Sequence, residues 1–313
     1  MEILVLHDLE QLGHCDMIAE MRVALPQMPA FRDASVQLDY ADDANLELIE
    51  KERYDAVILM DALQFYFRHR LRFQGRPWFC LVAFAGSTPL EFKKVNLPDS
   101  GIHAVLSNCL PLVSQVGSVI PSSFCWQPRA LVSDVDPSVD RKSIGCVLPN
   151  VADRDFCLLD RVVTAYRHVP GAVAPAIFLS DSAKGQVPES LREFVFRYKH
   201  DLQRQCFNGL RYYVPAPRLT DYRSGVVPPD LVQAMAYGIR PLCIYHRVLA
   251  PLEPYLQMYR SLDEYDAAVA AAISTGTVPG YEFPLKSLES VMLASANTLA
   301  HTIATAYQRS RHG

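Results

Sequence analysis

The sequence predicts an α/β protein made of two doubly wound halves, and three observations carry that prediction. Short apolar strands alternate with amphipathic helices along nearly all of the 313 residues, as in parallel sheets covered by helices on both faces. A polar stretch over 127–142, containing Pro128 and Pro137, divides the alternation into two series. Late in the second series, residues 228–244 read as a short helix closed by Gly238 and running straight into the apolar strand Leu242-Cys243-Ile244, the helix-to-strand step of a doubly wound sheet.

Composition agrees with a soluble globular chain of two domains. It is 50% hydrophobic and 20% charged, with 22 prolines and 14 glycines, enough to bury ordinary cores. The net charge of -4 argues against a nucleic-acid binder, which needs a basic surplus to displace counterions from phosphates. Eight cysteines, none in a CxxC pair and most within apolar runs, suit reduced thiols in a cytosol better than disulfides or zinc. No apolar run reaches the length of a membrane-spanning helix, and the chain starts directly in a strand, so neither a signal peptide nor a spanning segment is expected.

In the first series, Met1 to Leu6 is a compact strand ending in His7-Asp8, followed by a loop carrying Gly13 and His14 and an amphipathic stretch around Met17, Ile18, Met21 and Val23. A second strand near 35–38 precedes a helix over 45–52. Ala56 to Met60 is a third strand, apolar throughout and ending in Asp61, which marks burial on both faces. Residues 78–84 form a fourth strand and 103–106 a fifth. Leu112 to Gly117 and then Val119-Ile120-Pro121 lead towards the linker.

The second series opens with the strand Ile144 to Leu148, which runs into Pro149-Asn150. A helix follows in which Phe156, Leu159, Val162, Val163 and Tyr166 share a face. Ala176 to Leu179 is the next strand. Leu191, Phe194, Val195, Tyr198 and Leu202 then repeat at helical spacing, and Leu210 to Val214 is a third strand before the segment 228–244. Ser261-Leu262-Asp263-Glu264 has the form of a capping box at the head of an alanine-rich helix through Ile273. A last helix is expected over 287–308, with Leu288, Val291, Met292, Leu299 and Ile303 on one side.

Several of these segments resemble the GT-B glycosyltransferases. Gln233-Ala234-Met235-Ala236-Tyr237-Gly238-Ile239-Arg240-Pro241-Leu242 is similar to the donor-domain segment often written EAMACGTPVV, and Val119-Ile120-Pro121 is similar to the passage that leads between the two domains, with Ser122-Ser123 where a glycine is usual. The resemblance implies two Rossmann-like domains facing a cleft. They would be an acceptor domain over 1–126, a linker over 127–142 and a donor domain over 143–286, with the C-terminal helix from 287 returning to the first domain. It also implies a nucleotide-sugar donor, a glycan or lipid-linked glycan acceptor, and a diphosphate neutralised by basic side chains and a helix N-terminus, without metal or other cofactor.

Carried over by position, the resemblance places donor contacts at Arg218 and Arg223, which flank the loop before the helix at 230–237. Further donor contacts fall at Arg154 and Asn150 after the first strand of the second series, at the backbone of Val214, at Gln233, and at His246 and Arg247. The alternative for the arginines is a solvated loop or a charge at a helix start. Retaining members carry glutamates where this chain has Gln233 and Gly225. Glutamine hydrogen-bonds but cannot act as an anion, so the pattern leans towards inversion, which needs a general base. Asp8 is the preferred base and His14 the next, with Asp61 also at a strand end. An aspartate there also serves as a turn or helix cap.

No GxGxxG, GxxxxGK[ST], HExxH or GxSxG motif and no metal-ligand spacing occurs. Lys93-Lys94 beside Phe92 forms a small basic and aromatic patch that could touch an anionic membrane surface. The expected setting is bacterial surface-glycan synthesis in the cytoplasm, at the inner face of the membrane if that patch is used. The alternatives are a non-catalytic scaffold of the same fold and a nucleotide-sugar epimerase, which would require a carboxylate-rich cleft.

Overall fold

The structure, a computed structural model, describes residues 2–7, 35–51, 54–60, 62–73, 80–84, 92–124, 141–181, 183, 185–199, 202–281, 301, 302, 304–306 and 308. The chain forms two compact units. The first comprises Met1–Leu131, Ser224–Val226 and Ser290–Gly313, the second Val132–Arg223 and Val227–Glu289.

The first unit holds a six-stranded parallel sheet. Its strands are β1 (Glu2–His7), β2 (Ser35–Tyr40), β3 (Ala56–Met60), β4 (Cys80–Phe84), β5 (Ala104–Ser107) and β6 (Ser122–Phe124), in the spatial order β2-β1-β3-β4-β5-β6. Every residue of β3 and β5 is buried, as a strand covered on both faces requires. On one face Leu4, Leu6, Val57, Leu59, Leu81 and Val105 pack against helices α1 (Asp43–Lys51), α2 (Leu63–Phe73) and α3 (Leu110–Val116). Each such side chain removed from water contributes roughly 1.5–3 kcal/mol.

His7 is the last residue of β1, buried and in register with Met60. Three expectations change in this unit. Helix α2 was not legible, because its core residues Phe65, Tyr66 and Phe73 are strand-favouring aromatics interrupted by Arg68, Arg70 and Arg72. Ser122 and Ser123, read as part of a connection, begin β6, which pairs with β5. The basic and aromatic patch at 92–94 does not form either: Phe92 is in the core, and only Lys93 and Lys94 are exposed. No helix among the described residues is long and apolar enough to cross a membrane.

The second unit holds a five-stranded parallel sheet of β7 (Ser143–Leu148), β8 (Ala176–Ser180), β9 (Val195–Tyr198), β10 (Leu210–Tyr213) and β11 (Arg240–Pro241), in the order β11-β10-β7-β8-β9. Helices α4 (Cys157–His168), α5 (Gln203–Asn208), α6 (Leu219–Ser224), α7 (Pro229–Ala236) and α8 (Leu262–Thr275) accompany it. Gly145 in β7 passes so close to β8 that a Cβ would stand 1.8 Å from Ala176 O. The helix expected over 191–202 is instead a 3-10 turn (Glu189–Phe194) followed by the edge strand β9, paired with β8 from Ile177↔Val195 to Ser180↔Tyr198. The apolar residues there fit both periods, and pairing with β8 decides between them. Helix α7 ends as expected at Gly238, with φ +67°, whereas β11 is only two residues long and Leu242 follows it by donating its N–H to Tyr213 O at 2.7 Å.

Ser261 caps α8 by accepting from the Glu264 N–H, and Glu264 reaches back to accept from the Arg260 N–H at 2.8 Å, one residue before the cap, so the first half of the expected capping box forms and the return bond is displaced by one residue. Of the expected linker, Arg141 and Lys142 are described, and Arg141 Nη1 donates to Tyr237 O at 2.9 Å. The rest of the linker, and the last helix apart from six residues between 301 and 308, lie outside the described residues. Thr302 and Ala306 of that segment are buried.

Candidate functional site

In a doubly wound sheet, ligands bind beyond the carboxyl ends of the strands where the chain reverses its direction of travel across the sheet. The second sheet reverses between β7 and β10, and the first between β1 and β3. Asp8 and Asp61 follow β1 and β3 directly in the sequence. Asp8, Asp61 and His14 lie outside the described residues.

The reversal in the second unit is laced by its own side chains. Arg154, on the loop after β7, donates from Nε to Asn150 O at 2.6 Å and from Nη1 to Ala216 O at 2.6 Å. The same Nη1 meets Asp230 Oδ2 at 2.8 Å, with the two side chains only 5% and 8% exposed. Burial works against the charge of Arg154, and the Asp230 carboxylate more than offsets it, holding the guanidinium protonated above its ordinary range. Arg154 is thus a buried tie between the loop after β7, the loop after β10 and the first turn of α7.

Backbone bonds reinforce that tie. The Asp155 N–H donates to Pro217 O, and the Leu219 N–H to Asp153 O. Asp153 also accepts the Thr220 N–H on Oδ2 at 3.1 Å and takes a left-handed φ of +56°, a conformation aspartate tolerates better than most residues. Asn150 caps its own turn, with Oδ1 accepting from the Ala152 N–H at 2.8 Å. Val214 is buried, and its N–H donates to Gly145 O at 2.7 Å.

The N-terminus of α7 was expected to help seat a diphosphate, and its chemistry opposes that. Pro228 and Pro229 have no N–H to offer. The Leu231 N–H is taken by Asp230 Oδ1 at 3.2 Å, and the Val232 N–H by Pro228 O. The positive end of the helix is therefore met by the protein's own carboxylate. Gln233 is buried on the same helix at 3% exposure.

Above this lie Arg218 and α6. Arg218 is half-buried and forms an isolated antiparallel bridge with Arg154, while Arg223 is exposed in the last turn of α6. No described carboxylate lies within ion-pair distance of either guanidinium. Tyr222 stacks flat on His246, with centroids 4.3 Å apart and planes 5° apart. His246 Nδ1 accepts the Val248 N–H and caps the turn Arg247–Leu252. Burial, then the neighbouring Arg247, pulls the His246 pKa down, so the ring is a neutral cap. Arg247 is exposed. The structure brings Arg154, Asn150, Val214, Arg218 and Gln233 together around one reversal point, with His246 reaching it through Tyr222.

Sequence reasoning missed Asp153, Asp221 and Asp230 in this site. Asp230 follows two prolines at a helix start, which is a readable signal, but its partner Arg154 is 76 positions away and no local pattern links them. Asp221, on α6, is pushed up to about 6, first by burial, against the opposing charge of Arg218 and with help from Asp230. An open cavity of about 700 Å³ adjoins the site at the start of α4, lined by Arg154, Phe156, Cys157, Arg161 and Leu219. Arg161 there is held by Asp266 at 2.5 Å. Among the described residues no group of three His, Cys, Asp or Glu side chains is placed to hold a metal ion.

Two doubly wound parallel-sheet units in one chain are the architecture of a GT-B fold, and solved structures agree. The chain matches the apo form of the lipopolysaccharide outer core galactosyltransferase WaaB with a TM-score of 0.52 at 11% identity, covering 99% of this chain and 100% of that one. It matches sucrose-phosphate synthase from Thermosynechococcus elongatus with a TM-score of 0.51 at 10% identity, covering 98% and 95%. A mutant O-GlcNAc transferase from Thermobaculum terrenum gives 0.50 at 14% identity, over the whole of this chain and 68% of that one. No protein-family model and no curated protein matches the sequence. The chain has the GT-B fold.

Proposed function

We propose that the chain is a glycosyltransferase that moves a sugar from a nucleotide-activated donor, held by the second unit, to a glycan or lipid-linked glycan acceptor. One observation supports the reading: in a GT-B fold, Arg218 is bridged to Arg154 at the reversal between β7 and β10 and Arg223 is exposed on the adjoining helix α6, with no described carboxylate in ion-pair distance of either. Guanidinium groups of this kind are suited to phosphate oxygens. Because α7 offers so few free N–H groups, the donor's phosphates depend on these side chains, and arginine charge in place of a cation is the basis for a metal-independent reaction.

The stereochemical lean is towards inversion. Gly225 has φ +82°, and a Cβ there would stand 3.0 Å from Pro111 Cγ, so a glutamate at that position is disfavoured by backbone and space alike. Gln233 supplies no anion at the other position. Asp8 is then the proposed base and His14 its alternative, with turnover at a bacterial surface glycan in the cytoplasm as the setting.

A thermal-shift panel of UDP, GDP, CMP, TDP and their sugars, with and without chelator, tests the donor site. A selective shift that survives chelation and disappears in Arg218→Ala and Arg223→Ala is the expected result; no shift with any nucleotide would sink the reading. The Pro228-Pro229-Asp230 start of α7 favours one second reading, a binding scaffold without catalysis. Asp8→Asn separates the two, since a transferase keeps donor binding and loses turnover.

A further inference from the structure

We infer that the outer edge of β9 is a self-pairing surface, on which a second copy of this chain docks antiparallel across a two-fold axis at Phe196. The inference lies wholly within the second unit and is independent of the nucleotide-sugar reading.

β9 closes one side of the second sheet and has β8 as its one neighbouring strand among the described residues. Tyr198 turns its carbonyl back to β8, where it accepts the Asp181 N–H at 2.9 Å. Successive residues of a strand alternate the direction of their backbone groups, so Val195 and Arg197 turn theirs away from β8. The Val195 N–H is taken by Arg192 O, which closes the preceding 3-10 turn. The Arg197 N–H and the Val195 carbonyl are then a donor and an acceptor two residues apart on an open edge, which one further strand completes.

Native edges of this kind are blunted by proline, a bulge or inward-pointing charge. β9 holds no proline, and it pairs with β8 without a register shift. Phe196 is 52% exposed and leans on Phe178 of β8, with ring centroids 5.9 Å apart. Arg197 does not cover it, since its Nη1 is drawn back to Ser180 O at 3.0 Å.

The sequence of the edge chooses the occupant. Glu193-Phe194-Val195-Phe196-Arg197-Tyr198-Lys199 is acidic at one end, basic at the other, and aromatic or β-branched over most of its middle. Reversed, such a segment complements itself. With the two-fold at Phe196, Val195 faces Arg197 of the second copy, the two Phe196 rings meet, and the exposed Glu193 comes towards the exposed Lys199. Each Arg197 N–H then donates to the opposite Val195 carbonyl. Moving the axis to Val195 would call on its N–H, which is taken, and moving it to Arg197 would set two arginines face to face. A copy added in parallel and in register would set Glu193 against Glu193 and Lys199 against Lys199.

The oligomeric state of the intact chain tests this, by sedimentation velocity of the wild type, Phe196→Lys, Glu193→Lys, Lys199→Glu and the last two combined. The expected result is a reversible dimer that forms below about 100 μM. Phe196→Lys should weaken it about tenfold or more, each single charge exchange by less, and the combined exchange should recover most of the loss. Melting temperatures taken where every variant is monomeric should match the wild type. Phe196→Cys in a Cys157→Ser background adds a readout that does not depend on the lysine variant folding. The two Cα atoms on the axis stand roughly 4.5 Å apart in such a pair, within disulfide reach, so mild oxidation should give a covalent dimer that Arg197→Cys does not. A wild type that stays monomeric at about 100 μM overturns the inference. So does a dimer that Phe196→Lys leaves intact, or one in which the two charge exchanges fail to rescue each other.

Discussion

Arg154 and Asp230 are charged side chains with almost no access to water, and their pairing is worth most as the alternative to an unpaired buried charge. Removing one partner of such a pair costs about 3–5 kcal/mol, whereas replacing both by apolar groups costs much less. Arg154→Ala and Asp230→Ala are each expected to destabilise the protein by that amount in urea unfolding, and Arg154→Met combined with Asp230→Leu by well under the sum. Additive losses would mean that the two act independently. Asp221 acts in the opposite sense. Its carboxyl titrates near 6 in the folded chain, above its unfolded value, so folding disfavours the charged form. Its contribution supports the fold fully below the unfolded value and is lost as pH rises through about 6, a change of about 3 kcal/mol. The stability of Asp221→Asn relative to the wild type should therefore rise between pH 4 and pH 7; a flat difference would show that the carboxylate is well solvated.

At the scale of elements, the second sheet is held by a close approach that only glycine permits. A Cβ at Gly145 would meet the Ala176 carbonyl at 1.8 Å, between two backbones that cannot move apart without breaking the β7–β8 ladder. Gly145→Ala is expected to cost about 3 kcal/mol or more, against about 1 kcal/mol for Ser261→Ala at the cap of α8; thermal unfolding of both variants checks the ranking. Elements of this kind were legible to different degrees. β3 and β5 announced themselves because burial on both faces leaves an unbroken apolar run, and α8 because its capping box is local. β9 was misread because Leu191, Phe194, Val195 and Tyr198 satisfy a helical period as well as a strand, and the deciding partner, β8, is remote in sequence. Part of the candidate site was readable: Arg218 and Asn150 sit at element ends that local patterns mark, and Gln233 lies in the helix whose sequence carries the family resemblance. The Arg154–Asp230 tie exists only once the loops after β7 and β10 are brought together.

At the scale of the whole molecule, the GT-B fold leaves the chemistry open, and the distribution of ligand effects over the two units separates a donor site from incidental anion binding. A nucleotide bound at the reversal between β7 and β10 stabilises the native state by about 2.7 kcal/mol at a hundred times its Kd. The gain should be felt first where the ligand bridges segments that otherwise open locally. Hydrogen exchange with saturating nucleotide is therefore expected to slow at the amides of 150–155 and 216–223, where Arg154, Asp153 and Pro217 already join the two loops. The buried strand β3 of the first unit should be unchanged. Protection spread evenly over Lys93, Lys94 and the arginines of α2 would identify a diffuse electrostatic association that weakens steeply with salt. Protection confined to the two loops and insensitive to 0.5 M salt, roughly a Debye length of 4 Å, would place the ligand inside the crevice, where the loops joined through Arg154 select it by shape as well as by charge.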